Sequence, residues 1–269
     1  MRKNPVYLSI LFLSLIILVL PKAHGQQRYV MNLQGYNEQP YHFGFILGLN
    51  QMLFTLKPVD NMTGIKWNNS QSPDIAADSL FVYSVNTTGA PGFSVGILGS
   101  LRLRKYLDLR FIPTLSFGSR NLLYTIRAFK NGNIVYDKGS SDSTFVHVKK
   151  QINSTYVTFP LLIKYRSYRD NNIGAYFLGG ISYSIDLAAA KRTKQNAKNA
   201  NSGIIKMRTH DFSIQAGAGF DFYTPYFKLG VEAKMIYGLN NLIIKENDLY
   251  SGSIKSMHSK MFMLSFIFE

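Results

Sequence analysis

From His42 to the end of the chain, apolar residues recur at every second position in segment after segment. A period of two is the mark of a strand with one apolar face. In 42–54, Phe43, Phe45, Leu47 and Leu49 share one face, and Gly44, Gly48 and Asn50 share the other beside Ile46. The pattern repeats at 93–103, 107–117, 155–165, 173–183, 212–221, 227–235 and 260–269. Connections between these eight segments alternate in length. Short ones lie around 104–106, 169–171 and 223–225; long ones run roughly over 55–91, 119–153, 185–208 and 240–256. Short turns on one side and long loops on the other are the topology of an outer-membrane barrel. An even number of strands, the last at the chain end, closes a sheet and removes its edges. The expected fold is therefore all-β: an eight-stranded antiparallel transmembrane β-barrel with four long extracellular loops and three short periplasmic turns.

The faces choose between a membrane barrel and a soluble one. One face carries Val, Ile, Leu, Phe and Ala; the other carries Gly, Ser, Asn, Gln and charges of both signs. A soluble lipocalin-like barrel would turn the apolar face inward around a ligand, whereas a membrane barrel turns it to lipid. Segments of about 10–13 residues match a tilted span of the hydrocarbon layer. Tyr106, Tyr165, Tyr168, Tyr223 and Tyr226 cluster beside the short turns, as an interfacial girdle would. Pro113 and Pro160 fall inside strands, where a missing N–H breaks a ladder bond, so bulges are expected there.

Residues 1–25 read as a secretory signal peptide. A basic start with Arg2 and Lys3 precedes the apolar run 6–20, and Ala23 and Gly25 stand at −3 and −1 of a cleavage site before Gln26. The run is short of the roughly 20 residues a membrane helix needs. The expected domains are then 1–25 (signal peptide), 26–40 (a flexible periplasmic lead-in) and 41–269 (the barrel). Localisation follows: the outer membrane of a Gram-negative bacterium. The chain has no cysteine, which removes disulfides, thiol nucleophiles and Cys-ligated metals.

An eight-stranded barrel encloses only enough room for its own side chains. Inward charges must pair. The expected lumen network is Arg110, Lys164, Asp211, Asp221, Lys228, Glu232 and Lys234, with Asp108 and Arg166 beside it. A catalytic reading has one candidate, His210-Asp211-Phe212-Ser213. On a strand His210 and Ser213 face oppositely, and no Gly-x-Ser-x-Gly elbow occurs, so no enzyme, cofactor or metal is expected. The net charge of +15 and the basic run 191–198 raise nucleic acid as a partner. Export makes the phosphates of outer-membrane lipid and lipopolysaccharide, or an acidic partner, the better targets, and no nucleic acid is expected. Phe262, Leu264, Phe266 and Phe268 share a face of the last segment. Phe262, Phe266 and Phe268 are read as a C-terminal signal for the insertion machinery.

Several strings resemble the PorT/SprT family. The most specific is Leu107-Asp108-Leu109-Arg110-Phe111-Ile112-Pro113-Thr114-Leu115-Ser116-Phe117-Gly118-Ser119-Arg120-Asn121-Leu122. Others are Pro91 to Ile97, Phe159-Pro160-Leu161, Arg166 to Arg169, Tyr183 to Ala188, Gly217 to Tyr223, Tyr226-Phe227-Lys228 and Phe268-Glu269. The resemblance spans about 50–269 and implies an outer-membrane barrel needed for type IX protein secretion and gliding motility in Gram-negative Bacteroidota. Other secretion subunits would be its partners. Eight strands cannot enclose a channel for a folded protein, so the family's porin label is read here as an accessory or assembly role. The alternative is a general small outer-membrane barrel (porin, adhesin or envelope-stabilising protein) with no secretion role.

Overall fold

The structure is a computed structural model that describes residues 30–68, 71–72, 75–135, 144–196 and 205–269, with side chains described to 191 in the fourth span. The expected signal peptide and the start of the lead-in, 1–29, lie outside the described residues, as do residues 197–198 of the basic run 191–198 and the side chains of 192–196. Residues 32–269 form one compact unit.

Among the described residues eleven antiparallel segments build the sheet: β1 (Tyr41–Pro58), β2 (Ser79–Gly89), β3 (Pro91–Arg104), β4 (Leu107–Phe111), β5 (Thr114–Lys130), β6 (Asn133–Val135), β7 (Val146–Arg166), β8 (Ile173–Asp186), β9 (His210–Tyr223), β10 (Lys228–Gly238) and β11 (Ile254–Phe268). β1 pairs with both β11 and β3, so the sheet closes on itself. The segments make eight staves around the ring. β2 and β3 run end to end along β5, and β4 and β5 run end to end along β7. Partners can be followed once around the ring, from Leu107 through Tyr165, Phe177, Ala218, Ala233, Leu264, Leu49 and Phe93 to Phe117, ten residues along the stave it left. Such a stagger tilts the strands and leaves a bore that side chains fill.

Period two sorts the walls as expected. Phe43, Phe45, Leu47 and Leu49 of β1, and Ile163 of β7, Phe177 and Ile181 of β8 and Ile214 of β9, are exposed on the outside. Between them point Asn50, Ser94, Ser116, Lys164, Ser182, Ser213 and Glu232, all buried.

Two expectations need correction. The prolines make no bulge. β4 and β5 keep one register against β7, and Pro160 lies in an unbroken ladder opposite Ser182. Ile112 donates its N–H to the Pro160 carbonyl at 3.4 Å. Pro160 has no N–H to return, and the hydroxyl of Thr114 donates to the Ile112 carbonyl at 2.7 Å. A local side-chain bond thus replaces the lost ladder bond, and the register survives. The lead-in, expected to be flexible over 26–40, is held in its described part. Gly35 takes φ +73°, and a 3-10 turn follows over Tyr36–Glu38. Asn32 donates its N–H to Asn172, and its side chain donates to the Tyr223 carbonyl; Tyr223 donates its hydroxyl to Asn37 at 2.9 Å. Residues 32–39 therefore close the short-turn end.

The strands also run further than the alternation indicated. β5, β7 and β2 continue past the lipid-facing rows towards the long loops, and there their inner face is apolar. Leu80, Val82, Leu122, Ile126, Ala128 and Ile152 pack with loop residues Trp67, Ile75, Leu242, Ile243 and Leu249 in a single core. A short helix, α1 (Leu187–Asn196), follows β8, and one helical turn, α2 (Leu249–Gly252), precedes β11. Truncation inside this core leaves a cavity, whereas truncation on the outer wall does not. Ile126→Ala should therefore lower refolded stability in detergent by about 2–5 kcal/mol, and Phe43→Ala by much less, in urea titrations of the folded protein.

Candidate functional site: a filled lumen

Inward residues along β1 and β11 give the order of material inside the barrel. From the long-loop end, β11 presents Ile254, Met257, Ser259, Met261, Met263, Ser265, Ile267 and Glu269; β1 presents Phe54, Met52, Asn50, Ile46 and His42. Beneath the apolar core sits Arg120, fully buried. Its guanidinium lies 3.9 Å from the Phe54 ring, donates to Tyr156 at 2.9 Å and faces Asp186 at 3.7 Å. A layer of Met52, Tyr156, Met261 and Met263 follows.

Next comes a belt of hydroxyls and amides. Asn50 donates to Ser94 and Ser94 to Ser116, each at 2.8 Å. Gln215 donates to Ser182 at 2.8 Å, and Ser182 meets Ser213 at 2.6 Å. Below it lies a second apolar cluster of Ile46, Leu98, Ile112, Leu162, Leu178, Ile267 and the ring of Tyr176.

The charges occupy the short-turn third. Arg110 donates to Glu232 at 3.1 Å and to Glu269 at 2.7 Å. Lys228 donates to Glu269 and Lys164 to Asp221, each at 2.6 Å. Lys234 reaches Glu232 at 3.2 Å, and Arg166 reaches Asp108 at 2.7 Å. Tyr176 donates its hydroxyl to Glu232, and Lys164 lies 3.6 Å from the same ring. Gly219 makes this possible, because a Cβ there would fall 2.6 Å from the Tyr176 ring tip. Removing one partner of a buried pair strands the other and costs about 3–5 kcal/mol. Outside the strands, burial and the neighbouring Glu269 carboxylate push the Tyr36 hydroxyl well above its ordinary pKa.

Six of the seven residues expected in the network meet here: Arg110, Lys164, Asp221, Lys228, Glu232 and Lys234. Asp211 does not. β9 carries Asp211 at its long-loop end and Asp221 near its short-turn end, and Asp211 instead accepts from the Asn240 N–H at 3.4 Å. Sequence reasoning missed Glu269, Tyr176 and the Arg120–Asp186 pair. Glu269 and Arg120 share the inward parity of Ser265 and Ser116, so extending the period by a few residues would have found both. The candidate catalytic string is split, with His210 exposed and hydrogen-bonded to the Tyr183 hydroxyl while Asp211 and Ser213 point inward. Among the described residues no cluster of His, Asp and Glu could hold a metal ion.

Residues 32–243 match the sequence profile of the outer membrane protein beta-barrel domain. The chain belongs to the outer-membrane β-barrel family. Solved structures similar to it include the outer membrane protein OprG of Pseudomonas aeruginosa (11% identity, 84% of this chain and 93% of that one, TM-score 0.36). Neisserial surface protein A is also similar (11%, 86% and 99%, TM-score 0.37). So is Ail, the attachment invasion locus protein of Yersinia pestis (10%, 86% and 98%, TM-score 0.33). A search of curated proteins gave no match. The family places the barrel in the outer membrane, with the exposed Phe, Leu and Ile rows against lipid.

The last strand closes the ring. Phe262 and Phe266 point outward, and Phe268 stacks on Phe45 across the seam with ring centroids 4.8 Å apart. If these rings are read by the insertion machinery, Phe268→Ala should cut the amount of barrel inserted in cells far more than it lowers refolded stability in detergent. If they only bury area, insertion and stability should fall together. Membrane levels on immunoblots and urea midpoints separate the outcomes.

Proposed function

We propose that this barrel serves type IX protein secretion as an accessory or assembly component, and that it is not the conduit. The observation that carries the second half is the filled lumen. Apolar core, Arg120, hydroxyl belt, second apolar cluster and ion pairs succeed one another along the bore, and residues 32–39 close its short-turn end. Such an interior suits a membrane-anchored scaffold, with its strand extensions and long loops as the working surface.

The secretion half rests on the resemblance to PorT/SprT proteins. Its most specific block, Leu107 to Leu122, is β4 and the first half of β5. That block supplies Arg110 and Arg120 of the lumen, the Pro113 interruption and Ser116 of the hydroxyl belt. The matching residues are thus those that set the barrel's interior.

The test is deletion of the gene followed by assay of surface-exported proteins and of gliding. Loss of both, restored by the intact gene, is expected. Normal export with altered small-solute permeability would favour a general porin. Normal export with impaired adhesion or envelope integrity would favour the other small-barrel roles. Either would end the secretion reading.

A further inference from the structure

Past the lipid-facing rows, β2 and β5 run on side by side towards the long loops. Outward on β5 after Phe117 come Ser119, Asn121, Leu123 and Thr125, and opposite the last three lie Thr88, Asn86 and Ser84 of β2. Phe117 stacks on the lipid-facing Phe93 with centroids 4.8 Å apart. Arg127 is ten residues further along β5, roughly 33 Å along the strand and about 25 Å along the barrel axis at the usual tilt. That height clears a polar lipid layer of about 5–8 Å.

A cleft of about 290 Å³ opens there, lined by Phe81, Tyr83, Arg127, Phe129 and, from the 3-10 turn Met62–Gly64, Thr63. Phe81 is the register partner of Arg127 and meets Phe129 edge to face, with centroids 6.0 Å apart. Tyr83 is the extra residue of a bulge in β2, and it stands exposed with its ring 5.1 Å from that of Phe145. A bulge of this kind re-aims a side chain. The Arg127 guanidinium lies 4.9 Å from the centroid of the Phe145 ring. Aromatic rings thus surround one cation.

That cation has no partner within the protein. Among the described residues no carboxylate pairs with Arg127 and no acceptor takes a hydrogen bond from it, and its Nε–H is shielded from water. Asp78, just before β2, instead accepts from the Asn131 N–H at 2.8 Å. A shielded donor left unmatched is costly, and an anion in the cleft supplies the missing acceptor. The guanidinium offers its N–H groups as a planar fork, which fits a carboxylate. A single cation in the lining suits a single negative charge rather than a phosphate dianion.

We propose that this cleft binds a hexuronate residue of an acidic polysaccharide outside the cell. The carboxylate meets Arg127, the apolar face of the sugar lies on the rings of Phe81 and Tyr83, and the hydroxyls of Thr63 and Tyr83 serve those of the sugar. Apolar rings with a few convergent polar groups are the usual lining of such a site. The cleft has the volume of about ten waters, which suits one sugar ring. The site is independent of any secretion role.

Isothermal titration calorimetry of the refolded full chain in detergent tests it, with trigalacturonate and trimannuronate as probes. At least one should bind with a Kd of about 1 mM or below, and its methyl ester, which keeps the rings and loses the charge, about tenfold more weakly. Arg127→Lys, which keeps the charge and loses the fork, and separately Phe81→Ala with Tyr83→Ala, should each weaken binding about tenfold. Lys149→Gln, on the exposed face of β7 outside the cleft, should leave binding unchanged. Electrophoretic mobility before and after heating confirms that each variant is folded, and the ester comparison needs no variant. Binding of neither trimer at millimolar concentration would overturn the proposal. Equal binding of the ester would overturn the carboxylate contact. Undiminished binding by the Arg127→Lys protein, or an equal loss with Lys149→Gln, would overturn the site.

Discussion

No water reaches the backbone inside a lipid layer, so every N–H and C=O there must find a partner within the protein. The closure of β1 onto β11 on one side and β3 on the other meets that demand. The remaining features follow from it. A closed ring of eight staves with a ten-residue stagger fixes the bore, the bore fixes how much side chain fits, and period two fixes which residues enter it. Pro113 and Pro160 show how strict the demand is. The chain keeps its register past both, and the Thr114 hydroxyl takes the carbonyl that Pro160 cannot serve.

Inside, the layers differ in what they do. The ion pairs between Arg110, Glu232, Glu269, Lys228, Lys164 and Asp221 are costly to desolvate, and their mutual attraction offsets that cost. The apolar layers above and below the hydroxyl belt supply burial without that cost. Glu269 adds a tie across the bore. It accepts from Arg110 and Lys228 on its side chain and exchanges backbone bonds with Lys228, while Phe268 beside it stacks on Phe45. Phe268 thus holds the seam with β1 from the outer face, while Glu269 ties β11 to β10 and, across the bore, to β4.

Much of this was legible in the sequence because a strand writes its two faces alternately. All eight staves and six charges of the lumen network could be read from period two alone. What was not legible has a physical cause in each case. Past Phe117 and before Thr155 the two faces of β5 and β7 exchange character. The inner face turns apolar against the long loops, while the outer face leaves the lipid and becomes polar, so the stretches read as loop. Asp211 shares a strand and a parity with Asp221, yet only the strand's direction separates their ends. The lead-in looked flexible because its anchors, Asn172, Arg169 and Tyr223, lie far away in the chain. The single-sequence pattern also assigned bulges to both prolines, whereas the ladders keep their register past both and the Thr114 hydroxyl takes the carbonyl left by Pro160.

A lumen packed along its length has one direct electrical consequence. Purified protein inserted in planar bilayers should show little steady conductance across the range of voltages a bilayer tolerates. A large, stable open channel in that experiment would contradict the packed interior.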